Sequence, residues 1–100
     1  MSKKYPPFIE ALREIDPELF QVVSKNMDLA MAPGKLDAKT KILITLALDA
    51  IEGSGEGVKS LAGAARSMGV SDEEIKETIR LAYMTSANRT LVAGLSAFNK

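Results

Sequence analysis

The sequence predicts an all-α fold of five or six short helices. Apolar residues recur at intervals of three and four along most of the chain, which places them on one face of a helix. Capping residues and prolines stand where these segments begin, and glycines stand where several of them end. The apolar run 42–48 lies between a cap and a glycine at a separation that favours a helix over a strand.

Two helices are predicted in the N-terminal third. The first covers residues 8–15, after Pro6-Pro7. A second helix is predicted to begin at Asp16-Pro17, because Asp16 can cap free amide groups and Pro17 suits the first position of a helix. Ile15 and Phe20 have the spacing of a hydrophobic staple across that cap. We expect the second helix to end near residue 31.

The third helix, from Asp37 to Gly53, is the most apolar segment of the chain. Apolar side chains cover most of its circumference, which is typical of a central helix with neighbours on several sides. The polar side chains that remain form a narrow stripe made of Lys41, Thr45, Asp49 and Glu52.

The fourth and fifth helices are separated by a glycine. The fourth has an apolar face over residues 58–68 and ends at Gly69. The fifth begins at Ser71, where Glu74 completes a capping box and Val70 can staple to Ile75. The polar residues 85–88 predict a break, with a last helix through Leu91, Leu95 and Phe98. The whole chain, 1–100, is expected to form a single domain.

Composition excludes several classes of function. The chain has 13 basic and 13 acidic side chains, so it lacks the surplus of positive charge that a dedicated nucleic-acid or anionic-membrane binder needs. It has no cysteine and no histidine, which excludes thiolate and imidazole chemistry. We expect no metal site and no cofactor. Without a signal-peptide pattern or a long apolar segment, the expected location is cytoplasmic.

The glycine-rich turn 53–60 invites comparison with a phosphate-binding loop. Such a loop needs a second glycine directly before its Lys-Ser pair, and Val58 stands there instead. The preceding segment also reads as a helix and not as a strand. We therefore interpret the turn as a connector between two helices.

Four polar residues near this turn are weak candidates for catalysis: Asp49, Ser54, Glu56 and Lys59. Asp49 and Glu52 lie three positions apart, so they can form a like-charge pair on one helix face. A solvated helix edge explains the same spacing and is the favoured interpretation. Tyr83 and Arg89 are candidate ligand contacts, although Arg89 is equally suited to a surface ion pair.

The last helices are rich in small residues, which allow close approach between helices. A chain of 100 residues built from short helices has a high ratio of surface to volume, and an oligomer relieves it. We expect a homo-oligomer. The small residues concerned are Ala62, Gly63, Ala64, Ala65, Ser67, Ala87, Ala93, Gly94, Ser96 and Ala97.

The region from Leu36 to Phe98 resembles the carboxymuconolactone decarboxylase family, which includes alkyl hydroperoxidase D. Three segments carry the resemblance: Leu-Asp-Ala-Lys-Thr-Lys-Ile-Leu-Ile-Thr-Leu-Ala at 36–47, Val-Lys-Ser-Leu-Ala-Gly-Ala-Ala at 58–65, and Gly-Val-Ser-Asp-Glu-Glu-Ile at 69–75. The resemblance implies an all-α fold and assembly as a trimer or hexamer.

The redox members of this family use a glutamate, a Cys-x-x-Cys pair and a histidine. A low-pKa thiolate attacks peroxide, the second cysteine resolves the intermediate, and the glutamate and histidine relay protons. The resemblance places these four positions on Ile42, Ser54, Gly57 and Leu61, so none of the residues is retained.

Two functions remain open at this point. The first is a non-redox oligomer that binds a small apolar molecule or a partner at the ancestral pocket, which Ile42 and Leu61 make more apolar, or that is purely structural. The second is an enzyme of lactone or β-keto acid chemistry, with Glu56 as general base and Lys59 stabilising an enolate-like charge. The resemblance also suggests peroxidase activity, against which the missing cysteine argues.

Overall fold

A computed structural model describes residues 4–100, and within them every regular element is helical. The chain divides into two compact units, residues 1–35 and 36–100. The elements are α1 (Pro7–Glu10), α2 (Leu12–Ile15), α3 (Pro17–Met31), α4 (Ala38–Glu52), α5 (Gly55–Ser67), α6 (Asp72–Leu95) and a final 3-10 turn (Ser96–Phe98).

The first unit contains α1, α2 and α3. The predicted helix start at Asp16-Pro17 is confirmed, since the Asp16 side chain accepts a hydrogen bond from the Leu19 N–H at 3.1 Å. The predicted first helix is divided at Ala11 into two short segments. The expected staple is not formed, because Ile15 is 77% exposed.

Phe20 is instead buried against groups from the start of the unit. The Tyr5 ring meets it edge-on, with 5.8 Å between the ring centroids. The Arg13 guanidinium lies 4.3 Å from the Phe20 ring centroid. An aromatic ring and a cation therefore cover Phe20, where the sequence pattern predicted an aliphatic contact.

In the second unit α4 packs against both α5 and α6, which confirms its predicted central place. Asp37 caps its start by accepting from the Thr40 N–H at 2.7 Å, and Gly53 ends it in the left-handed conformation at φ 79°. Leu46 is fully buried. The buried core consists of Ile42, Leu46, Ala62, Ala65, Val70 and Ile75, with Leu43, Val58 and Leu61 packed against it.

The connection from α5 to α6 follows the prediction closely. Gly69 adopts φ 91°, a value that favours glycine. Ser71 and Glu74 form the capping box, in which each side chain accepts a hydrogen bond from the other's backbone N–H. Val70 and Ile75 are both buried on either side of that cap.

The predicted break at residues 85–88 is wrong, because α6 continues through them without interruption. The Thr85 hydroxyl donates to the Leu81 carbonyl at 2.9 Å, and the Thr90 hydroxyl donates to the Ser86 carbonyl at 3.2 Å. These hydroxyls are satisfied by the preceding turn of the same helix, so they give the backbone no reason to leave it.

Among the described residues, no helix combines the length and the apolar character that crossing a membrane requires.

Candidate functional site

The four positions at which the family resemblance expects catalytic residues are divided between the core and a turn. Ile42 is buried in the core of the second unit, and Leu61 packs against that core. Apolar side chains therefore occupy the two positions at which the resemblance implies a glutamate and a histidine. Ser54 lies in the turn between α4 and α5, and Gly57 lies in the first turn of α5. The prediction that residues 53–60 form a connector is therefore wrong for most of the segment, because α5 already begins at Gly55.

Ser54 caps the N-terminus of α5. Its hydroxyl oxygen accepts a hydrogen bond from the Gly57 N–H at 3.3 Å, and its own N–H donates to the Asp49 carbonyl at 2.9 Å. The hydroxyl and the backbone N–H of Ser54 are thus both engaged in hydrogen bonds with nearby residues of the turn. The position that would carry the first cysteine of a redox pair serves as a helix cap here.

The Asp49 side chain lies directly beside Gly57. A Cβ atom built on Gly57 would overlap an oxygen of the Asp49 carboxylate, and it would lie 2.8 Å from the Ser54 hydroxyl oxygen. The carboxylate can occupy this place because glycine has no side chain. A residue with a side chain at position 57, including cysteine, requires Asp49 to move away.

Glu56 and Lys59 are exposed on α5. Among residues 4–100, neither side chain makes a hydrogen bond or an ion pair. The structure therefore brings Asp49 and Ser54 together at Gly57, but it gives Glu56 and Lys59 no positioning contact that a general base and its electrostatic partner would need.

An apolar groove lies between the last turn of α4 and the middle of α6. Its volume is about 310 Å³, at the lower end of the roughly 300–1,000 Å³ typical of small-molecule sites. Tyr83 and Ser86, which carry hydroxyl groups, are the polar residues of a lining that is otherwise aliphatic. The groove is lined by Ala50, Ile51, Ile79, Ala82, Tyr83 and Ser86.

Of the two predicted ligand contacts, Tyr83 lines this groove and Arg89 does not. Arg89 lies further along α6, in a stretch where every residue is exposed. The sequence analysis missed Ile51, Ile79 and Ser86. Because α6 is continuous, Ser86 lies one helical turn beyond Ala82, on the same side of the helix. The predicted break at 85–88 placed these two residues in different helices, so the sequence did not indicate that they share a groove.

A second depression, of about 440 Å³, lies in the first unit beside Glu10. The Glu10 carboxylate is buried, and it accepts hydrogen bonds from the Arg13 Nε at 2.6 Å and from the Tyr5 N–H at 2.9 Å. The bond from Arg13, followed by the one from Tyr5, holds the pKa of Glu10 below its usual range. These internal bonds satisfy the carboxylate and fold the start of the chain onto itself.

Comparison with known protein families identifies the chain. Residues 17–100 match the carboxymuconolactone decarboxylase family, and the protein belongs to that family. No curated protein and no solved structure gave a significant match. The match confirms the resemblance carried by α4, α5 and the start of α6. The absence of cysteine argues against thiol peroxidase activity.

Proposed function

We propose that this chain is a non-redox member of the carboxymuconolactone decarboxylase family that binds a small apolar molecule in the groove between α4 and α6. The groove itself carries the proposal, because an aliphatic lining with two hydroxyl groups suits a mainly apolar ligand with one polar end. Tyr83 and Ser86 are the residues suited to orient that end.

The proposed site differs from the place where the sequence analysis expected it. That expectation put the ligand beside Ile42 and Leu61, at the position of the family's catalytic residues. Ile42 is 4% exposed and forms part of the core, so a ligand there would have to displace packed side chains. The groove is open and needs no such displacement.

We further propose that the protein acts as a homo-oligomer, with the trimer or hexamer implied by the family as the expected forms. The second unit leaves many large apolar side chains exposed, and contact between copies would remove them from water. Exposed residues of this kind occur on α4, such as Ile44 and Leu48, and along α6.

Binding in the groove can be tested with Nile red, a neutral apolar dye whose fluorescence rises in apolar surroundings. We expect saturable binding that Ile79→Asp weakens at least tenfold, because a carboxylate in the lining must be desolvated by the dye. Leu29→Asp is the control, since Leu29 is an exposed apolar helix residue that lies outside both the groove and the surfaces proposed for contact between copies. Equal loss in both variants, or none in either, would refute the assignment.

A further inference from the structure

Helix α6 has two apolar faces on opposite sides. One face is buried and carries Ile75, Thr78 and Ala82. At about 100° per residue, Met84, Leu91 and Leu95 point to the opposite side of the helix, and Leu81 lies at the edge of that side. Their exposed fractions are 61%, 51%, 60% and 54%.

This second face has the spacing of a coiled-coil seam. Residues 81, 84, 88, 91 and 95 are separated by three, four, three and four positions, and Phe98 continues the series at 79% exposure in the 3-10 turn. Asn88 is the polar member of this series. We call residues 81, 84, 88, 91, 95 and 98 the α6 seam.

We propose that the α6 seam packs against the α6 seam of a second copy of this chain. The inference rests on the proposed homo-oligomer and names one of its surfaces, the two-fold contact between pairs of chains that a hexamer contains and a trimer does not. A heptad spacing is the pattern that lets side chains of one helix fit between those of another over several turns. The surface opposite to the buried face is open to that contact, because its apolar side chains are exposed.

The symmetry of the seam favours a copy of the same chain as the partner. Asn88 stands at its centre, with Leu81 and Leu95 each seven positions away. A two-fold axis at this point places Asn88 opposite its own copy, whether the helices run parallel or antiparallel. The amide both donates and accepts hydrogen bonds, so two such side chains can satisfy each other.

Charge and size along the seam also permit contact with an identical surface. Within residues 81–98 Arg89 is the single charged residue, and it is rotated about 100° from Asn88. Two copies therefore bring no like charges together in the seam. Small residues flank it at Ala87 and Gly94, which allows the helix axes to approach closely.

The exposed apolar area is near what a stable interface requires. An aromatic residue such as Phe98 buries on the order of 200 Å². Applied also to the somewhat smaller Leu and Met residues, that value sets an upper limit of roughly 600 Å² per copy for the five apolar seam residues, against about 800 Å² per partner in a standard interface. Flanking residues such as Val92, at 70% exposure, add to that area.

Cross-linking tests the contact directly, because the chain has no cysteine of its own. Asn88→Cys, oxidised with copper phenanthroline, is expected to give a covalent dimer on a non-reducing gel. Arg89→Cys is the matched control, one residue away and off the seam, and at least fivefold less dimer is expected from it. Equal yields in the two variants, or no dimer from Asn88→Cys, would overturn the proposal.

A second measurement tests the proposed seam contact separately from the proposed homo-oligomer. Light scattering should show a lower mass for Leu91→Glu/Leu95→Glu than for the unmodified protein, while Thr90→Glu keeps the mass of the unmodified protein. Both leucines are exposed, so circular dichroism should show unchanged helix content. If the unmodified protein is an oligomer and the double variant has the same mass, the proposed seam contact is refuted, but the proposed homo-oligomer is not. If the unmodified protein is a monomer, both are wrong. In either case, Nile red tests the groove separately.

Discussion

The carboxylate of Asp49 occupies the space into which a side chain at position 57 would project. Asp49 belongs to the last turn but one of α4, and Gly57 to the first turn of α5. In the redox members that this chain resembles, a cysteine stands at the position of Gly57. The structure therefore leaves no room at position 57 for the cysteine that the resemblance implies there, because a neighbouring carboxylate fills that space.

This relationship predicts an energetic coupling between the two residues. Gly57→Ala should be nearly neutral or destabilising in the natural chain, because the new methyl group displaces Asp49. In an Asp49→Ala background the same change should be more favourable, reaching a stabilisation of up to about 1 kcal/mol if the Ser54 hydroxyl turns away, since alanine is the better helix former. Urea unfolding of the four proteins measures the coupling. Equal effects of Gly57→Ala in both backgrounds would show that the two side chains do not compete for this space.

Restoring the family's glutamate at position 42 should unfold the protein or nearly so. Ile42→Glu places an unpaired carboxylate in the core, at a cost of about 3–5 kcal/mol. Ile15 is the control for the same substitution, because it is 77% exposed, lies outside the surfaces proposed for contact between copies, and its change to Glu should cost less than about 1 kcal/mol. Thermal and urea unfolding provide the comparison. A stable Ile42→Glu protein would indicate that water or a positive partner reaches this position.

The free energy of unfolding should decrease at low pH because of two carboxylates at the start of α6. The pKa of Asp72 is lowered by the Arg66 side chain, and the pKa of Glu74 is lowered by the Ser71 N–H. Both folded-state values lie below the ordinary 3.8 and 4.5. The stabilisation is therefore present above those ordinary values and lost as the pH falls through the lowered ones.

The melting temperature between pH 6 and pH 2 is the quantity to measure. Glu74→Gln keeps an oxygen that can accept from Ser71 but removes the titrating group, so its melting temperature should depend less on pH than that of the natural chain. Glu77→Gln, one turn further along α6, controls for the loss of a charge. A Glu74→Gln curve parallel to the natural one would exclude Glu74 as a source of the acid sensitivity.

The purified protein should show no peroxidase turnover with any dithiol donor, because it has no cysteine. Ser54→Cys/Gly57→Cys should not restore it. Ile42 and Leu61 still supply no proton relay, and the thiol at position 57 competes with Asp49. Peroxide consumption with dithiothreitol measures the activity, with an added thiol peroxidase as the positive control. Turnover by the unmodified chain, free of contaminating peroxidase, would contradict the non-redox function.

Local sequence patterns predicted the structure correctly where that structure depends on residues close together along the chain. The caps at Asp16, Asp37 and Ser71 act within one helical turn, so their residue types predict the helix starts that the structure shows. The polar residues 85–88 misled the same reasoning. Their composition resembles a turn, but a hydroxyl that bonds back to its own helix is compatible with continuous structure.

The candidate sites depend on contacts between elements, which sequence spacing does not contain. Nothing in the pattern indicates that the side chain of Asp49 meets Gly57, because that contact depends on the angle at which α5 leaves the turn. The groove likewise needs α4 and a continuous α6 side by side. The α6 seam was recognisable only once this helix was known to run unbroken to Leu95.

The sequence by itself determined that this protein is helical, that it resembles one family, and that the family's cysteine and histidine chemistry is absent, because residue identity and short-range periodicity decide those properties. The tertiary structure decided where a function can be located. It buried Ile42 with Leu61 packed against the same core, and it left open an apolar groove beside Tyr83. Packing brings distant residues together or fills the space between them, and the order of residues along a chain does not specify which of the two occurs.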